Sequence, residues 1–353
     1  MELEDTRVRI IVHHQLGEPA RVLRLEQGEA KQLAPDQVRI RVCCAPIHPG
    51  DLLGIMGSPA FGGSPAIGPG GRIPGFEGVG VVTELGGNVD TTLGLKPGIR
   101  VAFFPAAAAW SDEIVVSASA VVPLPEAIPN EVGAQMLINT ITALTVIRTA
   151  HDSLPLDGRK GVVTILTGAG SAVGRLIYKI LTQRGVMVIR LVRSEQRVAA
   201  LVATLPGPPV YATDTEGWKD RVRAAAGGTK IHVAIDSVGG RLLGEVADLL
   251  AEGTGTVVNF GSLGGDTSDI RLFPPRSLSL KGVGMSSWLR LSPEQRRGDV
   301  AVALRLAQGP GALFETAERY SPSRIAEAVA HVGRSGRAGV VLIDFSKERR
   351  LEP

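Results

Sequence analysis

An apolar, β-branched run that stops in a glycine turn and opens onto a helix restricts this chain more than any other feature. The run is Val162-Val163-Thr164-Ile165-Leu166-Thr167 and the turn is Gly168-Ala169-Gly170-Ser171-Ala172-Val173-Gly174. Arg175-Leu176-Ile177-Tyr178-Lys179-Ile180-Leu181 follows with helical apolar spacing. Strand, glycine turn and helix in this order make a phosphate cradle. The helix start offers unpaired N–H groups and the positive end of its dipole, and small residues let the backbone come close. A second apolar run, Val186-Met187-Val188-Ile189-Arg190-Leu191-Val192, comes after the helix stop Arg184-Gly185. Together they complete a βαβ unit of about 30 residues, which commits the chain to a parallel sheet with helices on its faces.

The spacing Gly168-x-Gly170-x-x-x-Gly174 is one residue longer than the usual fingerprint, and 44 of the 353 residues are glycine. The flanking elements therefore carry more weight than the glycines. The residue that reads the ribose falls ~20 residues after the turn. Arg193 stands there, with Ser194 and Arg197 close behind. An acid would accept from the 2′-hydroxyl of NAD, whereas an arginine suits the 2′-phosphate of NADP. The expected cofactor is NADPH, held by Gly168, Gly170, Ser171, Ala172, Val173, Gly174, Arg193, Ser194 and Arg197. Alternatively, Arg193 is a solvated charge at a strand end.

The 38 basic and 35 acidic residues are interspersed and leave a net charge of +3 with no basic block, so a nucleic-acid partner is not expected. Met1-Glu2-Leu3-Glu4-Asp5-Thr6-Arg7 lacks a signal-peptide pattern, and no apolar run approaches the ~20 residues of a membrane span. A cytoplasmic protein with no membrane partner is expected. The only cysteines, Cys43 and Cys44, are adjacent. They suit neither a disulfide framework nor a four-ligand zinc site and read as strand residues, one buried and one less so.

Up to about residue 129 the chain is rich in short strand-like runs punctuated by Gly and Pro, such as Val38-Arg39-Ile40-Arg41-Val42. From about residue 133 apolar strands alternate with helical stretches near 195–204, 216–226 and 241–251, the pattern of a doubly wound parallel sheet. Ser321-Pro322-Ser323-Arg324-Ile325 reads as the start of a capped helix, and Gly339-Val340-Val341-Leu342-Ile343 as a last strand returning to the β-rich part. The Gly/Pro-rich stretch 57–71 reads as a loop, either a lid or a plain connection.

The order of motifs resembles the medium-chain dehydrogenase/reductase superfamily over nearly the whole chain. Pro74-Gly75-Phe76-Glu77-Gly78-Val79-Gly80 is similar to its G-x-E-x-x-G signature, and Gly94-Leu95-Lys96-Pro97-Gly98-Ile99-Arg100-Val101 to its G-x-K-x-G-D-R-V turn, with Ile99 for Asp. Within the superfamily the chain most resembles the zinc-free enoyl-thioester reductases, then the quinone oxidoreductases. Ile138-Asn139-Thr140-Ile141-Thr142-Ala143, Asp236-Ser237-Val238-Gly239-Gly240, Asn259-Phe260-Gly261-Ser262 and Gly284-Met285-Ser286-Ser287-Trp288 carry that likeness. The resemblance implies an α/β fold: a discontinuous GroES-like catalytic domain, 1–135 and 297–353, and a Rossmann NADPH-binding domain, 136–296. It implies hydride transfer to an activated alkene, usually in a homodimer. It adds Asn139, Thr142, Val238, Phe260, Gly261, Ser262, Met285 and Ser286 to the cofactor site, and Asn139 and Trp288 to the catalytic one. Asn139 and Thr142 are also types favoured as helix caps.

The departures bear on chemistry. Where zinc-dependent members carry Cys-His-x-Asp and Gly-His-Glu, this chain has His48-Pro49-Gly50-Asp51 and Gly75-Phe76-Glu77, and the four-cysteine zinc lobe is absent. No metal is expected. The reductases' substrate tyrosine falls at Pro59, or at Phe61 with a two-residue slip, and their Asn before Pro-x-Asp is His48. His48 becomes the leading candidate for acid or donor, since imidazole titrates near neutrality; alternatively it only packs or hydrogen-bonds a turn before Pro49. The substrate expected is a small molecule, with an acyl thioester as one candidate and Arg72, Arg276 and Arg290 as candidates for a basic channel mouth.

Overall fold

Every residue of the strand Val163–Leu166 is buried, as a central strand covered on both faces requires. The computed structural model describes residues 7–58, 66–154, 162–207, 209–265, 267–309, 313–334 and 336–347. The chain divides into two units, Met1–Ile138 with Leu304–Pro353, and Asn139–Ala303. Along the chain come β1 (Arg7–Val12), α1 (Pro19–Val22), β2 (Arg24–Glu29), β3 (Gln37–Pro46), α2 (Pro49–Ile55) and β4 (Gly78–Leu85). Then follow β5 (Arg100–Phe103), β6 (Glu113–Ser117), β7 (Val121–Pro123), α3 (Asn130–Gly133) and α4 (Met136–His151). The second stretch is β8 (Val163–Leu166), α5 (Ala172–Gln183), β9 (Met187–Val192), α6 (Glu195–Thr204), β10 (Val210–Ala212), α7 (Trp218–Ala225) and β11 (Val233–Asp236). It continues as α8 (Gly240–Ala247), β12 (Thr256–Asn259), β13 (Ser279–Gly282), α9 (Met285–Leu289) and α10 (Pro293–Ala307). Last come β14 (Thr316–Tyr320), α11 (Ile325–Val332) and β15 (Val340–Asp344).

The first unit is built on β3. Its Val38, Ile40 and Val42 are fully buried while Arg39 and Arg41 alternate outward, the period of two expected of the run. Cys44 is buried and Cys43 half-buried. The sheet runs β14-β15-β3-β4-β5-β7, with β6 also on β3, and β1 and β2 form a separate pair. β15 pairs antiparallel with β3, Leu342 opposite Pro46, so the C-terminal strand returns to the β-rich unit. Phe103, Trp110, Ile343 and Phe345 fill its core. The tail helix is a correction. Pro322–Arg324 forms a 3-10 turn, and α11 begins only at Ile325 with no side-chain cap. Ser321 Oγ pairs with Ser323 Oγ instead, 3.1 Å away.

The second unit is a six-stranded sheet in the order β10-β9-β8-β11-β12-β13, parallel throughout. The order reverses between β8 and β11, and ligands of such sheets bind outside the carboxyl ends of the strands at that switch point. Helix α5 buries Leu176, Ile177, Ile180 and Leu181, at about 1.5–3 kcal/mol for each side chain removed from water.

Candidate functional site

The glycine turn lies at the switch point, between the end of β8 and the start of α5. Gly168 is left-handed, φ +56°, and a Cβ there would stand 2.2 Å from Ser237 Oγ. A Cβ on Gly174 would stand 2.5 Å from the Gly168 carbonyl, so this glycine lets helix and turn touch. Gly170 differs: it is exposed, and a Cβ there would meet nothing within 4 Å. That is the open side of the cradle. Ser171 caps α5, its Oγ accepting from Gly174 N–H at 3.0 Å. The N–H groups of Ala172 and Val173 find no acceptor among the described residues. Arg175, buried in the first turn of α5, gives its Nε–H to the Gly170 carbonyl at 3.3 Å. The sequence did not single it out, because its spacing reads as plain helix.

The Ala169 N–H donates to the Leu191 carbonyl at 3.2 Å, which ties the turn to the end of β9. Arg193 follows, exposed, its guanidinium bonded to nothing among the described residues. Ser194 starts α6 without using its hydroxyl as a cap, and Arg197 is half-buried. On the other side of the switch point, Asp236 ends β11 fully buried. Its carboxylate accepts from Thr167 Oγ1 at 2.6 Å, Asn259 Nδ2 at 2.8 Å, and the N–H groups of Val238 and Gly239 at 3.1 and 2.8 Å. Asn259 also donates to the Gly261 carbonyl at 2.9 Å. This network braces the ends of β8, β11 and β12, and sequence likeness alone did not reveal it. Val238, Phe260 and Gly261 are half-buried on this rim and Ser262 is exposed. Met285 and Ser286 open α9, half-buried and exposed. Asn139 is buried and Thr142 half-buried inside α4, so neither caps that helix.

Trp288 is buried with its N–H given to Asp299 at 3.0 Å, a carboxylate that also takes Arg148 at 2.8 Å. Any contact with substrate would have to come from its ring. Arg276 is corrected as a channel-mouth candidate: it donates to the carbonyls of Ala247, Asp248 and Leu250, which closes a loop. Arg290 is exposed and half-buried Arg72 donates to the Ala66 carbonyl at 3.5 Å. Pro59 and Phe61 lie outside the described residues.

In the first unit, His48 precedes α2 in an extended conformation, as the residue before a proline should. Its N–H donates to Asp51 Oδ2 at 2.8 Å, and its side chain accepts from the Asp51 N–H in return, a complete capping box. Its Nε2 lies 2.8 Å from Glu77 Oε1, and Glu77 Oε2 accepts from Ile138 N–H at 2.9 Å. His48, Asp51 and Glu77 are all buried, 9%, 3% and 1% exposed, so their charges are felt at short range in little water. Burial pulls the His48 imidazole down, but the hydrogen bond and charge of Glu77, with the charge of Asp51, outweigh it and hold the pKa above its ordinary value. Burial pushes the Asp51 carboxyl up to about 6 against the opposing pull of His48. Asp51 Oδ1 is buried with no partner.

These residues do not fit a zinc ion. At the ligand positions of zinc-dependent relatives, His48 already spends Nε2 on Glu77, and Phe76 has no donor atom. They fit a dinucleotide: the open side at Gly170, the unpaired N–H groups of α5 and the unpartnered Arg193 are what a phosphate-bearing ligand needs.

A family model described as an alcohol dehydrogenase GroES-like domain matches residues 34–126, and one described as a zinc-binding dehydrogenase matches residues 172–308. The chain belongs to the medium-chain dehydrogenase/reductase superfamily of oxidoreductases, with a GroES-like unit and a Rossmann-type parallel sheet. It is 29% identical over 302 residues to the human mitochondrial enoyl-[acyl-carrier-protein] reductase, covering 83% of this chain and 76% of that protein. A putative NADPH:quinone reductase from Bacillus thuringiensis superposes with a TM-score of 0.82 at 26% identity, over 96% of this chain and 99% of that one. A mycobacterial protein solved in complex with NADPH shares the fold, TM-score 0.80 at 21% identity, over 96% and 99% of the two chains. The human relative is mitochondrial, so it lends no support to the cytoplasmic setting expected from the sequence. No helix among the described residues is long and apolar enough to cross a membrane.

Proposed function

We propose that this chain is a zinc-independent, NADPH-dependent reductase that delivers hydride to the β-carbon of an α,β-unsaturated carbonyl, with 2-enoyl thioesters as the substrate class. The observation that carries the cofactor assignment is the open cradle at Gly170 leading to the exposed, unpartnered Arg193. The substrate class is supported by the likeness to enoyl-[acyl-carrier-protein] reductases over most of the chain. In this reading residues 136–296 serve the cofactor and 1–135 with 297–353 serve the substrate.

NADPH supplies the hydride when bound. The chain's own residues do the rest. The N–H groups of Ala172 and Val173 with the α5 dipole hold the pyrophosphate. Gly168, Gly170, Ser171 and Gly174 shape the turn, and Arg193, Ser194 and Arg197 read the 2′-phosphate. Val238, Phe260, Gly261, Ser262, Met285 and Ser286 would hold the nicotinamide end, with Asn139 and Thr142 orienting ring and ribose, as the likeness to the reductases implies. Trp288 offers its ring to the substrate. Hydride transfer to an enoyl carbonyl would place negative charge on its oxygen, and His48, whose imidazole is held above its ordinary pKa beside Glu77, would be the acid that answers it. A homodimer belongs to the same proposal: β13 is an edge strand exposed at every residue, Leu280 45% so.

A quinone reductase is the second reading, favoured by the 26%-identical neighbour and by the missing tyrosine hydroxyl. Loss of NADPH absorbance with crotonyl-CoA, simple enones and quinones separates the two. Turnover of the thioester is expected. Turnover of quinones alone would remove the enoyl assignment, and tight NADPH binding with no acceptor reduced would mark a non-catalytic binding protein.

A further inference from the structure

Arg190 is a fully buried cation in β9, 0% exposed, and no carboxylate answers its charge among the described residues. Its guanidinium lies 4.0 Å from the ring of Tyr178 on α5, and Nη1 donates to the Leu205 carbonyl at the end of α6, 2.8 Å away. Nε and Nη2 are buried and have no partner. We propose that the Nε–Nη2 edge of Arg190 is an oxyanion site, one that takes a carboxylate or a phosphate group by two of its oxygens. The site goes beyond the reductase reading and does not depend on it.

Three observations lead there. The first is which donors are left over. Nε–H and one N–H of Nη2 point the same way from the planar guanidinium, spaced to meet two oxygens of one carboxylate or phosphate. The bond to Leu205 uses Nη1, so it holds the group in place and leaves this fork intact. The second is the contrast with other arginines. Arg9, Arg39 and Arg319 keep 17%, 17% and 35% of their side-chain surface exposed, and each has a carboxylate partner. Arg190 has less water than any of these and has none. The one other titratable group whose charge bears on it is Tyr178, whose hydroxyl donates to the Pro206 carbonyl at 3.4 Å. A buried charge without partner or water is costly, and native interiors pair or hydrate such groups.

The third is the segment that packs on this pair. Pro206 and Pro209 have no N–H, and the Pro209 carbonyl takes the Arg190 N–H at 3.1 Å. Gly207 is left-handed, φ +123°, and a Cβ there would stand 2.2 Å from the Tyr178 hydroxyl and 3.8 Å from Nη2. The segment therefore approaches Tyr178 and Arg190 with backbone alone at Gly207, and brings no negative side chain among the described residues.

The test is the urea midpoint of the full chain at constant ionic strength, with chloride replaced stepwise by acetate or by inorganic phosphate. At the unfolding equilibrium any ion carried through purification is free to leave. The midpoint should rise with the logarithm of added anion between about 1 and 100 mM, as binding to the folded state alone requires. A rise with one anion only names the source as carboxylate or as phosphate, and a rise with both marks a site for either. Arg190→Met removes the donors and should lose the rise. Arg190→Lys keeps a charge without the fork and should need about tenfold more anion for the same rise; this comparison decides if Arg190→Met does not fold. Arg193→Ala should keep the rise, which sets the site apart from the nucleotide cradle. A parent midpoint that answers to neither anion means that water satisfies the edge, and overturns the proposal. So does a parental rise in Arg190→Met or Arg190→Lys, or its loss in Arg193→Ala.

Discussion

Arg190 and Arg193 stand three residues apart in and just beyond one strand, and burial gives them opposite work. Arg190 is fully buried, its Nη1 donating to the Leu205 carbonyl at 2.8 Å and its guanidinium stacked 4.0 Å from the Tyr178 ring. Burial lowers its pKa, the Tyr178 contact notwithstanding. Arg193 is exposed and holds its charge ready. Arg193→Ala should therefore raise the Kd for NADPH about 10- to 100-fold and leave that for NADH unchanged, by fluorescence titration, as loss of one charge-assisted phosphate contact implies. Equal affinities before and after would refute the phosphate role. The position after the strand was readable in the chain; which arginine faced water was not, since both are basic residues in or beside one apolar run.

Asp51 makes the second prediction at this scale. Its folded pKa of about 6 exceeds the ordinary 3.8, so the folded protein keeps a proton that the unfolded chain releases as pH rises from about 4. The stabilisation is present below that window and is lost as pH climbs through about 6, a net difference on the order of 3 kcal/mol that already includes the opposing pull of His48. The raised imidazole of His48 has the same sign, losing its contribution as pH rises through its own folded pKa. Asp51→Asn keeps an acceptor for the His48 N–H and removes the charge. Urea unfolding should show this variant gaining stability relative to the parent between pH 4.5 and 7.5; a relative loss would mean the carboxylate is not penalised by its burial.

At the scale of elements, the glycine turn works because Asp236 braces what surrounds it. The strand, the turn and the first residues of α5 follow from local chemistry: β-branched residues, a left-handed Gly168, a serine cap. Asp236 is different, for its four donors come from Thr167, Val238, Gly239 and Asn259, up to 69 residues away. Asp236→Ala leaves those donors facing a void and should cost about 3–5 kcal/mol, read as a lower urea midpoint, with weaker NADPH binding beside it. A loss under about 1 kcal/mol would show that the rim stands without the carboxylate.

For the whole molecule, the parallel sheet ends in β13, whose four residues are exposed and which pairs only with β12 among the described strands. If a second copy covers that edge, Leu280→Lys should shift the sedimentation coefficient from dimer towards monomer, and a parent protein that is already a monomer ends the idea. The apolar periodicities, glycine placements and motif order were legible in the chain, and they determined the two-unit α/β architecture, the parallel sheet and the glycine turn between β8 and α5. The strands, turns and helices themselves depend on residues within one or two turns of each other, where sterics and hydrogen bonding act locally, and the order of those elements implies the sheet that pairs them. The chain also named His48, but not the Glu77 that holds it from 29 residues away, nor the Ile138 N–H that holds Glu77 from 61 residues away. Those pairings, the burial that sets the Asp51 and His48 proton affinities, and the occupation of Arg276 and the Trp288 N–H were decided only by tertiary structure. Electrostatics in a buried cluster depends on which distant groups are brought within ~4 Å and how much water is left between them, and no linear pattern encodes that.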